Sequence, residues 1–414
     1  MTCIFLTLHS DKGKEYNAGC HKEHRYGGNC MNIRKLGRLD AYLDAQREQE
    51  KILGASLLVE HKGKKVYENC LGTDRKDSIY KIFSMTKPVT AVAAMMLYER
   101  GELDLMQKVS EYLPGYKDCK VATPEGIRKA ENPILIRDLL NMTSGIVYNG
   151  DYGEAGQSMT RVYKEARTQK KSGILGSNVD VCNKFSEACL AFEPGTAFRY
   201  GLSADVMAAV IEVITGRTLS QFLKEELFIP LNMTDTDFKI DADRSFRQAV
   251  LYRRKKDGKP VRAEEDIRQK LEMDQPLDDP WYESGGAGLY STVEDYAHFA
   301  EMLLNKGAYH GKEIIGRKTM EFMTTSQLTQ EQMNTFKLDS CIGYGYGNYF
   351  RILQNKAEAM SNGSIGEFGW DGLAGSYFFV DPEEELIMIY MQQIDGGCDH
   401  GFVRGMRQIV YGAI

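Results

Sequence analysis

Ser84-Met-Thr-Lys87 places a hydroxyl and an amine three residues apart. On a helix an i, i+3 pair shares one face, so the two groups can hydrogen-bond. A serine alcohol is a poor nucleophile at neutral pH and needs an adjacent base. A lysine can supply that base once burial lowers its pKa, because desolvation disfavours the charged amine. Tyr80-Lys-Ile-Phe-Ser84 reads as a short apolar approach, and 85–100 reads as an apolar-rich helix closed by Gly101. Ser84 then stands at a helix N-terminus, whose free N–H groups suit a developing oxyanion. Pro88 falls in the first turn, where its missing donor costs little. Ser78-Ile-Tyr-Lys81 has the same spacing but lies in a charged turn before the approach, so context singles out Ser84.

Other chemistries find less support. No serine sits in a G-x-S-x-G elbow, and there is no H-E-x-x-H or G-x-x-x-x-G-K-[ST]. Gly343-Tyr-Gly-Tyr-Gly347 lacks a following helix and reads as a loop, not a dinucleotide fingerprint. Cys20-His21, His24 and Cys30 have zinc-binding side chains, but their spacing matches no ribbon or finger. No metal is expected there. Thr143-Ser144-Gly145 reads as a helix cap and turn, and His298 and His400 as structural histidines.

The elements that must position Ser84 are these. Residues 1–30 read as a disordered leader, and the fold begins near Met31 with helical spacing at Ile33, Leu36, Leu39 and Leu43. Residues 53–60 and 65–71 read as a hairpin around Lys62-Gly63-Lys64. The region 101–284 is mainly helical, with clear helices at 136–141 and 203–215 and a charged, solvated excursion at 251–275. Thr292 to Asn305 is a helix, 364–369, 374–381 and 386–392 are strands, and 400–412 is a last helix. Strands near both ends predict one antiparallel sheet, 31–100 with 285–414, and a helical lobe inserted between.

Composition sets the outer limits. The chain has 414 residues, 43% of them hydrophobic and 27% charged, with a net charge of −6. That is globular composition, and a mildly acidic chain without a basic stripe is a poor nucleic-acid binder. No apolar run approaches the length that spans a bilayer, and no signal peptide is read at the N-terminus. Nine irregularly spaced cysteines are read as reduced thiols, so a cytoplasmic location is expected.

Phe83-Ser84-Met-Thr-Lys87-Pro-Val-Thr-Ala91 resembles the active-site motif of the serine β-lactamase-related hydrolases. These comprise class C β-lactamases, related D-alanyl-D-alanine carboxypeptidases and family VIII carboxylesterases. Further pieces match in order: Gly101-Glu-Leu-Asp-Leu, Ile136-Arg-Asp-Leu-Leu140, Thr143-Ser-Gly-Ile146, Glu193-Pro-Gly195, Leu231-Asn-Met-Thr-Asp235 and Gly285-Gly-Ala-Gly-Leu-Tyr-Ser-Thr292. Together they cover about 45–410. The resemblance implies an α/β (α+β) β-lactamase/transpeptidase-like fold: an antiparallel sheet flanked by helices, plus the helical lobe.

The resemblance also implies roles. Ser84 is the nucleophile. Tyr200, in Tyr200-Gly-Leu202, takes the place of the tyrosine that acts with Lys87 as general base, for which a lowered phenol pKa is the requirement. The backbone N–H groups of Ser84 and Leu373 form the oxyanion hole. Trp370, Gly372 and Leu202 bind substrate. Leu202 stands where β-lactamases have asparagine, and Trp370-Asp-Gly372 resembles the esterases' W-x-G, not K-T-G. Loss of a cation and of an amide favours neutral acyl groups. The expected activity is hydrolysis of a small-molecule carboxylic ester through an acyl-enzyme, with no cofactor, no metal, no nucleic acid and no membrane. Acyl transfer, β-lactam or amide hydrolysis, and a catalytically silent binding role stay open as alternatives.

Overall fold

The computed structural model describes residues 31–150, 153–263, 281–397 and 400–414. Its central sheet has seven strands: β1 (Gly54–His61), β2 (Lys64–Gly72), β3 (Tyr344–Gly347), β4 (Phe350–Leu353), β5 (Phe368–Asp371), β6 (Tyr377–Asp381) and β7 (Leu386–Gln392). All pairs are antiparallel, in the spatial order β3-β4-β5-β6-β7-β1-β2. The N-terminal hairpin is added to the C-terminal meander through β1 and β7, with Leu58 opposite Ile389. This pairing makes one sheet out of two distant stretches of chain. The outer strand β2 begins with two exposed lysines, Lys64 and Lys65, which discourage further strand pairing.

Both faces of the sheet are covered, so β1 and β7 are buried almost throughout. Alternate residues divide between two layers, as the strand period requires. Leu57, Val59, Met388 and Tyr390 pack under α1 (Arg38–Glu48) and the C-terminal helix α8 (His400–Tyr411). Leu58, Ile387 and Ile389 face α7 (Val293–Leu304). Beneath α8, Arg407 donates to the fully buried Glu367 at 2.6 Å, and Tyr411 donates to the same carboxylate at 2.9 Å.

The region between the two parts of the sheet carries α3 (Ile136–Leu140), α4 (Gly153–Lys171), α5 (Asn178–Lys184), α6 (Ser203–Thr215) and two short hairpins. Before it comes α2 (Thr86–Glu99), in which every residue from Thr86 to Leu97 is buried. A helix apolar on all sides belongs in a core, and α2 packs against α6 in the middle of the molecule. One apolar cluster runs from the sheet (Leu58, Ile389) through α2 (Val92) to α3 and α6 (Leu139, Val206). The sheet and the helical region therefore share a core across the seam where Ser84 lies.

Several expectations change. Gly343–Gly347, read as a loop, contributes strand β3, and the next strand β4 was not foreseen. The strand expected at 364–369 is shifted to Phe368–Asp371, so Trp370 lies within β5. The first helix is broken at Gly37 into Ile33–Leu36 and α1. The 251–275 excursion begins as a hairpin of Tyr252–Arg254 with Pro260–Arg262, and its part beyond Ala263 lies outside the described residues. The leader, its Cys20, His21, His24 and Cys30, and the side chain of His400 also lie outside the described residues. Cys70, Cys119, Cys182, Cys189 and Cys341 are free thiols. Among the described residues no cluster could hold a metal ion, and no single helix is long and apolar enough to cross a membrane.

Candidate active site

Ser84 lies in a single 3-10 turn, Phe83–Met85, between the short strand Tyr80–Lys81 and α2. The turn is bonded on both sides. Ile82 N–H donates to Leu289 O at 3.0 Å, and Tyr296 Oη donates to Met85 O at 2.9 Å. Phe83, the residue before the serine, has φ +45°. A bulky side chain there is strained and persists only where its surroundings hold it. Phe83 packs with Leu251, Ala263 and Ala374, and the Lys81 amine lies 5.5 Å from its ring centre.

Lys87 follows in the first turn of α2 and is fully buried. Its Nζ lies 3.1 Å from Ser84 Oγ, 2.9 Å from Tyr148 Oη and 2.7 Å from Gly286 O. Three acceptors thus match the three N–H bonds of an ammonium. Losing a proton leaves a lone pair that can face Ser84 while Gly286 O keeps its donor. Burial lowers the pKa of Lys87 to about 7, against the opposing pull of the Asp205 carboxylate.

Two phenols flank the pair. Tyr148 was not foreseen, although Thr143-Ser-Gly-Ile146 just before it was read as a matching segment. Nothing in its spacing marks it, because the turn after α3 carries it to Lys87. Tyr200 was expected, and its hydroxyl lies near Ser84, whose side chain acts on it as it does on Tyr148. Its ring faces Lys87, whose Nζ stands 4.7 Å from the ring centre. Trp370 Nε1 donates to Tyr200 Oη at 3.0 Å, so a strand residue fixes the phenol. The expected lowering of the Tyr200 pKa is not found. Burial raises it, outweighing the nearby Ser84 hydroxyl and the Trp370 bond, and burial raises Tyr148 likewise. Lys87 offers Tyr200 a ring-face contact in place of a charge-assisted bond to oxygen, so the Trp370 donor alone does not offset the burial of a phenolate.

The end of β5 closes against the nucleophile turn. A Cβ on Gly372 would stand 2.0 Å from Ser376 Oγ and 2.5 Å from Ile82 O, so only glycine lets the two turns touch. The next residue, Leu373, is half exposed, and its N–H has no backbone partner among the described residues. Trp370 is nearly buried, with Tyr346 on its other side at 5.2 Å. Leu202, expected against the substrate, is 3% exposed at the N-cap of α6 and belongs to the core. Arg351, the cation next to this wall, is bound to Asp371.

The remaining expectations concern residues away from Ser84. Ser144 Oγ bonds Ser203 Oγ at 2.8 Å and accepts from Ile146 N–H, while Thr143 donates to Asp138, all inside the fold. Ser78 caps a turn by accepting from Arg75 N–H. His298, on α7, packs its ring against Tyr309.

The Beta-lactamase family model matches residues 39–410. Protein Rv1367c of Mycobacterium tuberculosis (strain ATCC 25618 / H37Rv) is 30% identical over 77% of this chain and 78% of its own. Esterase EstB of Burkholderia gladioli is 27% identical, covering 83% of this chain and 86% of its own. Among solved structures, the chain is similar to EstCE1, described as a hydrolase with promiscuous acyltransferase activity. The TM-score is 0.75 at 22% identity, over 92% of this chain and 99% of that one. By its sequence from residue 39 to 410 and by its fold, the chain belongs to the beta-lactamase family.

Proposed function

We propose that this protein is a carboxylesterase-type serine hydrolase that works through an acyl-enzyme on Ser84. The observation that carries the reading is the 3.1 Å contact between Ser84 Oγ and a fully buried amine held near neutrality. In the neutral state Lys87 accepts the Ser84 proton as Oγ attacks the ester carbonyl, and the carbonyl electron pair moves onto oxygen. The N–H groups of Ser84 and Leu373 stabilise that oxyanion at the seam of the two turns. Tyr148 and Tyr200 stay protonated and hold the amine and the serine in place. The ammonium then protonates the leaving alcohol, and water attacks the acyl-enzyme in the reverse sequence.

The preference for neutral esters rests on the wall beside Ser84. Tyr200 is the partly exposed ring, backed by the buried Trp370 and Tyr346, and Arg351 is already committed to Asp371. An anionic acyl group meets no free cation from these residues, which disfavours penicillins and cell-wall peptides. The name of the relative EstB agrees with this reading. Transfer of the acyl group to an alcohol is the alternative that uses the same first half-reaction, and the description of EstCE1 favours keeping it in view.

A parallel assay tests the proposal with short p-nitrophenyl esters, a chromogenic cephalosporin and a D-Ala-D-Ala peptide. The expected result is ester turnover that the Ser84→Ala variant reduces by ~10³-fold or more. Faster turnover of the cephalosporin than of the esters would overturn the ester assignment. Failure of a fluorophosphonate to label Ser84 in the native protein would favour a silent binding member. Product analysis with added alcohol separates hydrolysis from transfer.

A further inference from the structure

Asp205 lies in the first turn of α6 and is 1% exposed. One carboxylate oxygen is held by three donors: Tyr282 Oη at 3.0 Å, Ser284 Oγ, and Gly286 N–H at 3.4 Å. The other oxygen, Oδ2, is buried and has no hydrogen-bond partner. Leaving a buried carboxylate oxygen unpaired is costly unless a charge compensates it. Gly286 shows where that charge is. A Cβ added there would stand 2.6 Å from Asp205 Oδ2 and 3.4 Å from Lys87 Nζ. The unpaired oxygen and the amine thus flank the same bare Cα, and Gly286 O is itself a Lys87 acceptor at 2.7 Å.

The groups around the two residues are otherwise uncharged. Ser84, Tyr148 and Tyr200 face Lys87. Tyr282, Ser284 and the Cys182 thiol, which donates to the Asp205 backbone carbonyl, face Asp205 from the loop before Gly286 and from α5. Tyr116, Tyr148 and Tyr349 also sense the Asp205 charge, and burial holds all three phenols neutral. Burial raises the Asp205 pKa, and Lys87 is the cation that opposes the rise.

We propose that Asp205 is the counter-charge for the ammonium that Lys87 becomes on taking the Ser84 proton, a positioning residue that touches no reacting atom. The inference rests on the reading of Lys87 as the proton acceptor. When the Ser84 O–H bond breaks and the Lys87 N–H bond forms, a positive charge appears where no water can solvate it. The fixed carboxylate behind Gly286 stabilises that charge without moving. Its three donors keep it in place, and its unpaired oxygen is left to face the amine.

Asp205→Asn is isosteric and keeps an acceptor for Tyr282, Ser284 and Gly286 N–H. Acylation of the full chain by p-nitrophenyl acetate is followed against pH. Removing the anion removes a pull that raises the Lys87 pKa. The acid limb should therefore move to lower pH by about one unit or more, and the plateau rate should fall by ~10-fold or more. A limb left at the wild-type pH overturns the inference, even if the rate falls, because a packing defect alone does not move it. A second measurement does not depend on that variant folding. Lys87→Met should lower Tm by stranding the carboxylate, and adding Asp205→Asn to it should restore part of the loss. A double variant no more stable than Lys87→Met also overturns the inference. Full ester turnover by Lys87→Met would instead overturn the reading of Lys87, which separates the two failures.

Discussion

Lys87 Nζ touches the hydroxyl of Tyr148 at 2.9 Å, whereas it meets Tyr200 only across the face of the ring. The two phenols beside the amine therefore do different things. Tyr148 answers to the protonation state of Lys87 directly. Tyr200 instead has its hydroxyl fixed by the Trp370 indole.

Removing each hydroxyl should separate these parts. Tyr148→Phe and Tyr200→Phe are each expected to lower kcat for a p-nitrophenyl ester by about 10- to 100-fold, the scale of a lost positioning hydrogen bond beside a charged group. Trp370→Phe should lower it by about 10-fold, the scale of one lost hydrogen bond, and should add little to Tyr200→Phe. Steady-state kinetics of the three variants and the Trp370/Tyr200 double variant check this. Additive losses at Trp370 and Tyr200 would mean that the indole does not act through the phenol.

The rate should depend on pH in one direction through neutrality. Lys87 must be neutral to accept a proton, and burial brings its pKa down to about 7. Acylation should therefore rise with pH through about 7 and then level off, since both phenols are pushed up by burial and stay protonated. A pre-steady-state burst of p-nitrophenol, measured across pH, reads the limb. A flat profile through this range would contradict a lysine base.

Gly372→Ala should damage catalysis more than its size suggests. The new methyl group would press on Ile82 O and Ser376 Oγ, forcing apart the turns that carry Ser84 and Leu373. Loss of one oxyanion donor costs ~10²–10³-fold in kcat. The expected signature is a fall of that size with near-normal ester binding. A kcat within a factor of a few of wild type would show that the turns need not touch.

Stability should respond most at a pair far from Ser84. Glu367 is fully buried, and Arg407 is its cationic partner. Arg407→Met strands the carboxylate beneath α8, with Tyr411 as its remaining donor from that helix. Breaking a buried pair in this way costs about 3–5 kcal/mol. Urea unfolding should show the loss in the midpoint. An unchanged midpoint would mean that water reaches the site and solvates the acid.

The sequence by itself determined the local parts. Ser84 and Lys87 lie on adjacent turns of one continuous segment, so their spacing and the apolar run behind them already placed hydroxyl beside amine. The strands 53–60, 374–381 and 386–392 and the helix 203–215 follow from period and glycine stops, which act over a few residues. Strand β3 was missed because the glycines of Gly343–Gly347 carry turn signals, and β4 because four residues are too few to show a period; the pairing that makes both strands comes from neighbours across the sheet. Tertiary structure alone decided the rest of the site. Tyr148, Gly286 and Asp205 reach Lys87 from separate segments, and no spacing rule links residues 61 and 199 positions away. It also decided the sense of the pKa shifts. Depth of burial belongs to the packed fold: it brings the amine down to reactivity and holds both phenols protonated.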